Sequence, residues 1–426
     1  MTTPLGPVVF NADEGNDTQA SGLGPDPAVY GSGASITSGS ASVTGIDTTG
    51  VLPGHLMWVQ ASSGRQFSVI QSVVSSTEVL CDNTFGVTET GRTWAIGGKR
   101  ATLEDTSSRN LFGNTVNTSL VFKVKLETDQ DINSPLTITC SSGIPFPLIM
   151  YSDNLSTINQ TANNQHGLIV NQNYGGLFYN LKFTNTGGST NGGMAAISSG
   201  SHVIADNCVF GEDGGSNNFA SAMRGNAYGH NLYARNCTFY GNGVTNSQAF
   251  GGGHYNGDAL EIHNCYIKGF DRGVYGYPGR TRVSDCIIES CKDGIVSAGT
   301  ARIADIRNTV FHNLTGDAIY FNDMYYHTFQ SYYLPFLSTN IFSNVTGAVL
   351  RVGTNRNTAD YEPPNVEPVH VYNCPTITSG DMFNIPSVSL STNPFVDPAN
   401  GDFNLDRNKA SGLYLLNQTT KIGRTV

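Results

Sequence analysis

A four-residue phrase, Asn-Cys-x-Phe, returns along the middle of this 426-residue chain. It stands as Asn207-Cys208-x-Phe210 and Asn236-Cys237-x-Phe239. Altered forms follow as Asn264-Cys265-x-Ile267, Asp285-Cys286-x-Ile288 and Asn308-Thr309-x-Phe311. The apolar member recurs at 183, 210, 239, 267, 288, 311 and 342, in steps of 27, 29, 28, 21, 23 and 31. A longer phrase, Phe311-His-Asn313-Leu-Thr-Gly316, reappears as Phe342-Ser-Asn344-Val-Thr-Gly347. Self-similarity at this period means a stacked array, in which each unit buries its apolar face only against its neighbours.

Helical repeats of this length need amphipathic runs of ten or more good helix formers. The chain instead supplies short bursts such as Leu260-Glu-Ile262, Val274-Tyr275 and Ile319-Tyr-Phe321, bounded by Gly, Asn, Asp or Ser. Such bursts read as short strands joined by turns. Several per repeat fit an all-β right-handed parallel β-helix, each strand pairing with its equivalent one coil above and below at about 4.8 Å. The Cys208, Cys237, Cys265, Cys286 column and the apolar column two residues later then both point inward, because side chains alternate with period two. An Asn just before the strand tolerates a left-handed bend and can hydrogen-bond to its counterpart in the next coil.

On these repeats the chain resembles the pectate-lyase-like family of right-handed β-helix proteins, which includes pectinases, alginate enzymes and phage tailspikes. A second resemblance lies in Asn393-Pro-Phe-Val-Asp-Pro-Ala-Asn-Gly-Asp-Phe-Asn-Leu405, similar to closing segments of bacterial and phage β-helix proteins. The two cover roughly residues 120–405. They imply fold more than chemistry, since one fold carries enzymes and inert fibres alike.

Only 13% of residues are charged and 49 are Gly, a composition suited to tightly turned β structure. The net charge of −10 argues against a nucleic-acid surface. No run of 18 apolar residues predicts membrane insertion. The opening Met-Thr-Thr-Pro-Leu lacks the basic and apolar regions of a secretory signal, so export by the ordinary route is not expected. A phage protein released by lysis needs none. Of the eight cysteines, four lie in the inward column, where a free thiol acts as a small hydrophobe. No pair has zinc-knuckle spacing, and His254, Asp258, Glu261 and His263 crowd one segment without regular ligand spacing. No metal or cofactor is expected.

Three regions follow. Residues 1–98 form an N-terminal β-rich attachment domain. Residues 1–45 of it offer little core, and strands around 51–59, 66–70, 79–81 and 93–96 read as antiparallel, similar to small β-barrel modules of phage tail and virion proteins. Residues 99–392 form the β-helix, opened by a short helix over 99–113 that plugs its first coil. Residues 393–426 form a C-terminal cap or tail.

If Leu260, Val274, Ile295, Ile319 and Leu350 point inward, their successors Glu261, Tyr275, Val296, Tyr320 and Arg351 point outward. With Asp258, Asp293 and Asp317 they form an acidic and aromatic strip. Carboxylates one or two coils apart suit glycoside hydrolysis, and Tyr faces can stack on sugars. For an enzyme, Asp258, Glu261 and Asp293 are the catalytic candidates; Tyr275, Tyr320, Arg351, Tyr325 and Tyr326 are the glycan-contact candidates. Asp before Gly or Ala at a strand start is equally ordinary turn chemistry. The motifs of polygalacturonases, pectate lyases and alginate epimerases are all missing. The leading expectation is therefore a structural bacteriophage virion protein: a tail fibre, tailspike or capsid decoration on the outer surface of head or tail. It would be a homotrimer attached to other virion proteins by its N-terminal domain, able to meet host surface polysaccharide. The alternatives are a polysaccharide hydrolase or lyase, and a bacterial surface adhesin.

Overall fold

Two compact units divide the chain, residues 1–186 and 187–426. The computed structural model describes residues 6–17, 19–103, 122–138, 148–170, 175–188, 195–200, 202–215, 218–225, 231–251, 259–276, 280–300, 303–323, 336–353, 365–379 and 385–418. In the second unit the repeat is a parallel β-helix whose coils each contribute three strands. The first column runs through His202–Asp206, Asn231–Arg235, Ala259–His263, Arg280–Ser284, Ile303–Arg307 and Phe336–Ser338. The second column includes Val209–Phe210, Thr238–Tyr240, Tyr266–Lys268, Ile287–Glu289, Val310–Leu314, Ile341–Val345 and Val369–Tyr372. The third includes Ser221–Gly225, Gln248–Gly251, Arg272–Gly276, Asp293–Thr300, Ile319–Asp323 and Ala348–Val352.

The corner between the first two columns explains the Asn of the repeated phrase. Asn207, Asn236, Asn264, Asp285, Asn308 and Thr339 all have φ between 47° and 56°, a left-handed bend that most side chains disfavour and Asn or Asp tolerates. Their side chains then link coil to coil. Asn236 donates to Asp206 at 3.2 Å, Asn264 to Asn236 at 2.6 Å, and Asn308 to Asp285 at 3.2 Å. A second corner, after the second column, accounts for the longer repeated phrase. Ser290, Asn313, Asn344 and Asn373 are left-handed there, and Asn373 donates to Asn344 at 2.8 Å.

Inside, like meets like. Cys208, Cys237, Cys265 and Cys286 are buried free thiols. The amides of Thr238, Tyr266 and Ile287 donate to the carbonyls of Cys208, Cys237 and Cys265 one coil below. The apolar column stacks face to face, Phe210 on Phe239 at 4.8 Å and Phe311 on Phe342 at 4.9 Å. Where the thiol column ends, Thr309 and Asn340 replace it. Asn340 accepts the Thr309 amide and donates to the Ile306 carbonyl, so the polar substitutes are satisfied. Coils also approach closely at the glycines. A Cβ on Gly347 would lie 2.4 Å from the Gly316 carbonyl oxygen, which leaves no room for any other residue.

The outward side of the second column is not left to solvent. Tyr266, Ile287, Val310 and Ile341, one above another, form a cluster with Leu390, Phe395, Phe403, Leu405 and Leu415. The closing segment, a hairpin of Phe395–Asp397 and Asp402–Leu405 followed by the helix Ala410–Gln418, therefore runs along the side of the coils. Burying four such side chains contributes roughly 1.5–3 kcal/mol each. This contact also encloses His312, 5.2 Å from Phe403, and His370, 5.9 Å from Tyr414.

In the first unit, six antiparallel-paired strands close a barrel: Val29–Ile36, Ser42–Thr44, Leu56–Ala61, Gly64–Ser75, Glu78–Cys81 and Glu89–Ile96. The four strands read from the sequence are among them. The expectation that residues 1–45 hold little core is corrected. Val29–Ile36 pairs with Glu89–Ile96, and Ala34, Ile36 and Val43 are buried in the barrel. The strand was hard to see because Gly, Ser and Ala fill most of it. Val8–Phe10 leaves the barrel altogether and pairs in parallel with Phe122–Leu126, the strand that stacks on Leu148–Ser152. The helix expected over 99–113 lies outside the described residues from 104 onward. Its first residues, Lys99 to Leu103, are irregular, and Arg100 bridges to Phe10.

Two outcomes are expected. Asn264→Ala removes the ladder hydrogen bond and places Ala in a left-handed bend, so it should cost about 1–2 kcal/mol in urea unfolding, and Asn264→Gly clearly less. The second concerns acid. Burial pushes the His312 imidazole down to about 4 and lowers His370 as well. The unfolded chain therefore takes up these protons near pH 6.5, before the folded one does, and stability falls as pH drops from about 6.5 toward 4. Glu289, raised chiefly by burial, acts in the opposite direction over the lower part of this range. His312→Leu should flatten the acid loss of the urea midpoint; an unchanged pH profile would contradict this reading.

Candidate functional site

The residues of the expected outer strip do not share one face. In the third column Tyr275, Val296, Tyr320 and Arg351 stand one above another in register. Glu261 belongs to the first column, in the row Tyr233, Glu261, Arg282, Asp305, Phe336. The single strip is thus corrected to two separate rows. The mistake has a clear origin: Leu260 and Val274 both point inward, but a corner and a strand intervene between them. Asp258, Tyr325 and Tyr326 lie outside the described residues.

Within the third-column row, Val296 is buried between the two tyrosines. The Arg351 guanidinium lies 4.8 Å from the Tyr320 ring centre and 3.3 Å from an Asp317 oxygen. Arg272 covers Tyr275 in the same way at 4.5 Å. The tyrosine faces expected to meet sugar are thus partly covered by arginine. Asp293 and Asp317 are turn braces. Asp293 accepts the Asp317 amide at 2.9 Å, and Asp317 accepts the Ala348 amide at 2.8 Å. Burial raises the Asp293 carboxyl, against that amide hydrogen bond.

In the first-column row, Arg282 lies 3.4 Å from Glu261 and 3.9 Å from Asp305, and Arg307 pairs with Asp305 at 2.5 Å. These partly exposed pairs hold little energy individually. Their alternation of sign up the face leaves Glu261 beside a guanidinium, not isolated in an apolar pocket.

A concave site lies elsewhere, where the second column turns toward the third. A cleft of about 290 Å³ is lined by Asp213, Gly214, Gly215, Tyr240, Gly241, Asn242, Gly243, Lys268, Gly269 and Ser290. Lys268 reaches Asp213 at 3.0 Å. Burial alone would lower the amine, but the Asp213 hydrogen bond and the charges of Glu289 and Asp213 outweigh it and hold it above its ordinary range. Behind the cleft, Tyr240 packs edge-on against Tyr266, whose hydroxyl donates to the buried Glu289 carboxylate. The Gly211–Gly215 loop is pinned by buried Asn218, which accepts the Glu212 amide at 2.9 Å and donates to the Glu212 and Gly241 carbonyls. Sequence reasoning passed over this site because its parts lie 55 residues apart. The available signal was the glycine run Gly211, Gly214, Gly215, Gly241, Gly243. Among the described residues no group of three or more His, Cys, Asp or Glu is placed to hold a metal ion.

The fold and these surfaces define a parallel β-helix protein, as the resemblance implied. No protein-family model matches the chain, and neither does any curated protein. Among solved structures it is similar to the tailspike protein gp49 from Pseudomonas phage LKA1, at 13% identity and a TM-score of 0.30, covering 85% of this chain. The chain spans 61% of that tailspike's length. It is also similar to catalytic-domain variants of GH87 alpha-1,3-glucanase in complex with nigerose. One is 11% identical with a TM-score of 0.31, covering 85% of this chain and 87% of that one. Another is 12% identical with a TM-score of 0.29, covering 91% and 95%.

If Asp293 is only a turn brace, Asp293→Asn, which keeps an acceptor for the Asp317 amide, should stay within about 0.5 kcal/mol of the parent. Asp293→Ala should lose about 1 kcal/mol or more in urea unfolding. Loss of sugar release in Asp293→Asn at unchanged stability would instead assign it a catalytic role.

Proposed function

We propose that this chain is a structural component of a bacteriophage particle, a tail fibre, tailspike or capsid decoration displayed on the outer surface of head or tail. The observation that carries the reading is the coil-to-coil bonding of the β-helix among the described residues. Backbone ladders run in all three columns and are reinforced by two Asn-rich corners and by a closing segment strapped along the side. Among the described residues each coil of the second unit is hydrogen-bonded to the next along the stack, which stiffens it and leaves few openings for proteases. A separate closed barrel in the first unit supplies a candidate attachment module. In this reading the barrel meets other virion proteins, the chain forms a homotrimer, and the exposed rows meet host surface glycans.

The alternative of a polysaccharide hydrolase or lyase has to work within the corrected geometry. Glu261 and the Tyr275–Tyr320–Arg351 row lie on different columns, so an active site must draw on one or the other. An adhesin would use the same fold on a cell surface. Mass spectrometry of purified particles separates these readings. A fixed copy number of the chain per particle supports the structural role. Its absence from washed particles, with reducing or unsaturated sugar ends released from host polysaccharide by the purified chain, would replace that role with the enzymatic one. Sedimentation of the purified chain at three times 45.4 kDa is the expected oligomer result.

A further inference from the structure

The cleft at Asp213 and Lys268 has a chemistry that narrows its occupant. Its one cation is paired: Lys268 lies 3.0 Å from Asp213, and Glu289 adds a second carboxylate behind it. An anion such as phosphate would therefore meet a neutralised amine and two acidic groups. A metal ion would meet the Lys268 ammonium directly. Both charged classes are disfavoured, and an uncharged polar ligand is left.

The walls agree with that conclusion. Five glycines line the cleft, and the amides of Gly215, Gly241, Gly243 and Gly269 are already donated to the Glu212, Lys268, Gly269 and Glu289 carbonyls, so a ligand meets side chains and not free backbone amides. At Gly241 a Cβ would lie 2.4 Å from the Gly269 carbonyl oxygen, so the close packing of the two coils itself demands glycine there. Asn242 is held by its bonds to the Asn218 carbonyl and the Val244 amide, and Ser290 accepts from Asn313, so both add neutral wall and no further charge. Tyr240 offers a ring set by its edge-on contact with Tyr266 at 6.0 Å. A flat apolar ring beside a carboxylate and an ammonium that can together serve a vicinal hydroxyl pair matches the two-sided surface of a sugar. The volume sits at the small end of ligand sites and suits one or two rings.

We infer that this cleft is a binding site for a neutral saccharide of one or two residues, with Asp213 and Lys268 holding its hydroxyls and Tyr240 facing its ring. The site is separate from the rows of the first and third columns. The inference goes beyond the structural role and is read independently of whether the chain is found on particles. Asp213 is the most informative position, because it lies on the exposed side of the loop and its loss leaves the coil intact.

The full chain would be titrated with glucose, galactose, mannose, rhamnose, N-acetylglucosamine, lactose and cellobiose, followed by saturation-transfer NMR and calorimetry. Phosphate and calcium chloride serve as charged probes. The expected result is millimolar or tighter binding of at least one neutral sugar, weakened about tenfold in Asp213→Ala and in Lys268→Met at unchanged melting temperature. Val74→Ala, an exposed position on the barrel, should leave it unaltered. Three results would overturn the inference: no sugar bound by the folded chain, binding indifferent to Asp213→Ala, or saturable binding of phosphate or calcium at this cleft in place of sugar.

Discussion

The stacking in the second unit depends on one constraint: from Asn207 to Thr339 the chain turns through a left-handed corner at the same point of each successive coil. That corner aligns each strand with its predecessor. Asn meets it best, because its short amide tolerates positive φ and has both a donor and an acceptor to hand to the next coil. Asn236, Asn264 and Asn308 do both at once, bending the chain and bonding it vertically. Once the corner is set, the residue after it points inward, and so does the one two further on. The thiol and phenyl columns follow from period-two geometry, and their stacking at 4.8–4.9 Å is the strand spacing expressed in side chains.

The same register that builds the core decides what the surface can do. A row of outward residues is a column of equivalents, so functional groups combine vertically and not along the sequence. Tyr275, Tyr320 and Arg351 meet although they are dozens of residues apart. Glu261 and Tyr275, close in sequence, face different ways. The exception to vertical logic is the Asp213 loop, an insertion between the second and third columns that folds back over Lys268. Its pinning by Asn218 gives the surface a concavity that a plain stack of coils lacks.

The parallel β-helix, its inward columns and the Asn corner were all legible in the sequence, because each coil restates the same local demand. Four barrel strands were legible from alternation, but Val29–Ile36 was not, since Gly31, Ser32 and Gly33 carry no hydrophobic signal and the strand is recruited by its partners. The course of the closing segment was also hidden. Tyr266, Ile287, Val310 and Ile341 look like ordinary strand residues, and only their shared burial against Phe395, Phe403 and Leu405 reveals the covered face. The corrected strip and the unforeseen cleft have the same cause. Sequence spacing tells which way a side chain points within a strand, but not on which of three faces that strand lies.

The central claim, that successive coils are stacked in register, is tested most directly by a distance between two spin labels on one row. Ile204 and Phe336 stand in the same outward row of the first column, linked through Tyr233, Glu261, Arg282 and Asp305. Labels at Ile204→Cys and Phe336→Cys in the full chain should give a single narrow distribution near 24 Å, or about five strand spacings, broadened only by the label arms. A broad distribution with no component near that distance would contradict the stacked account.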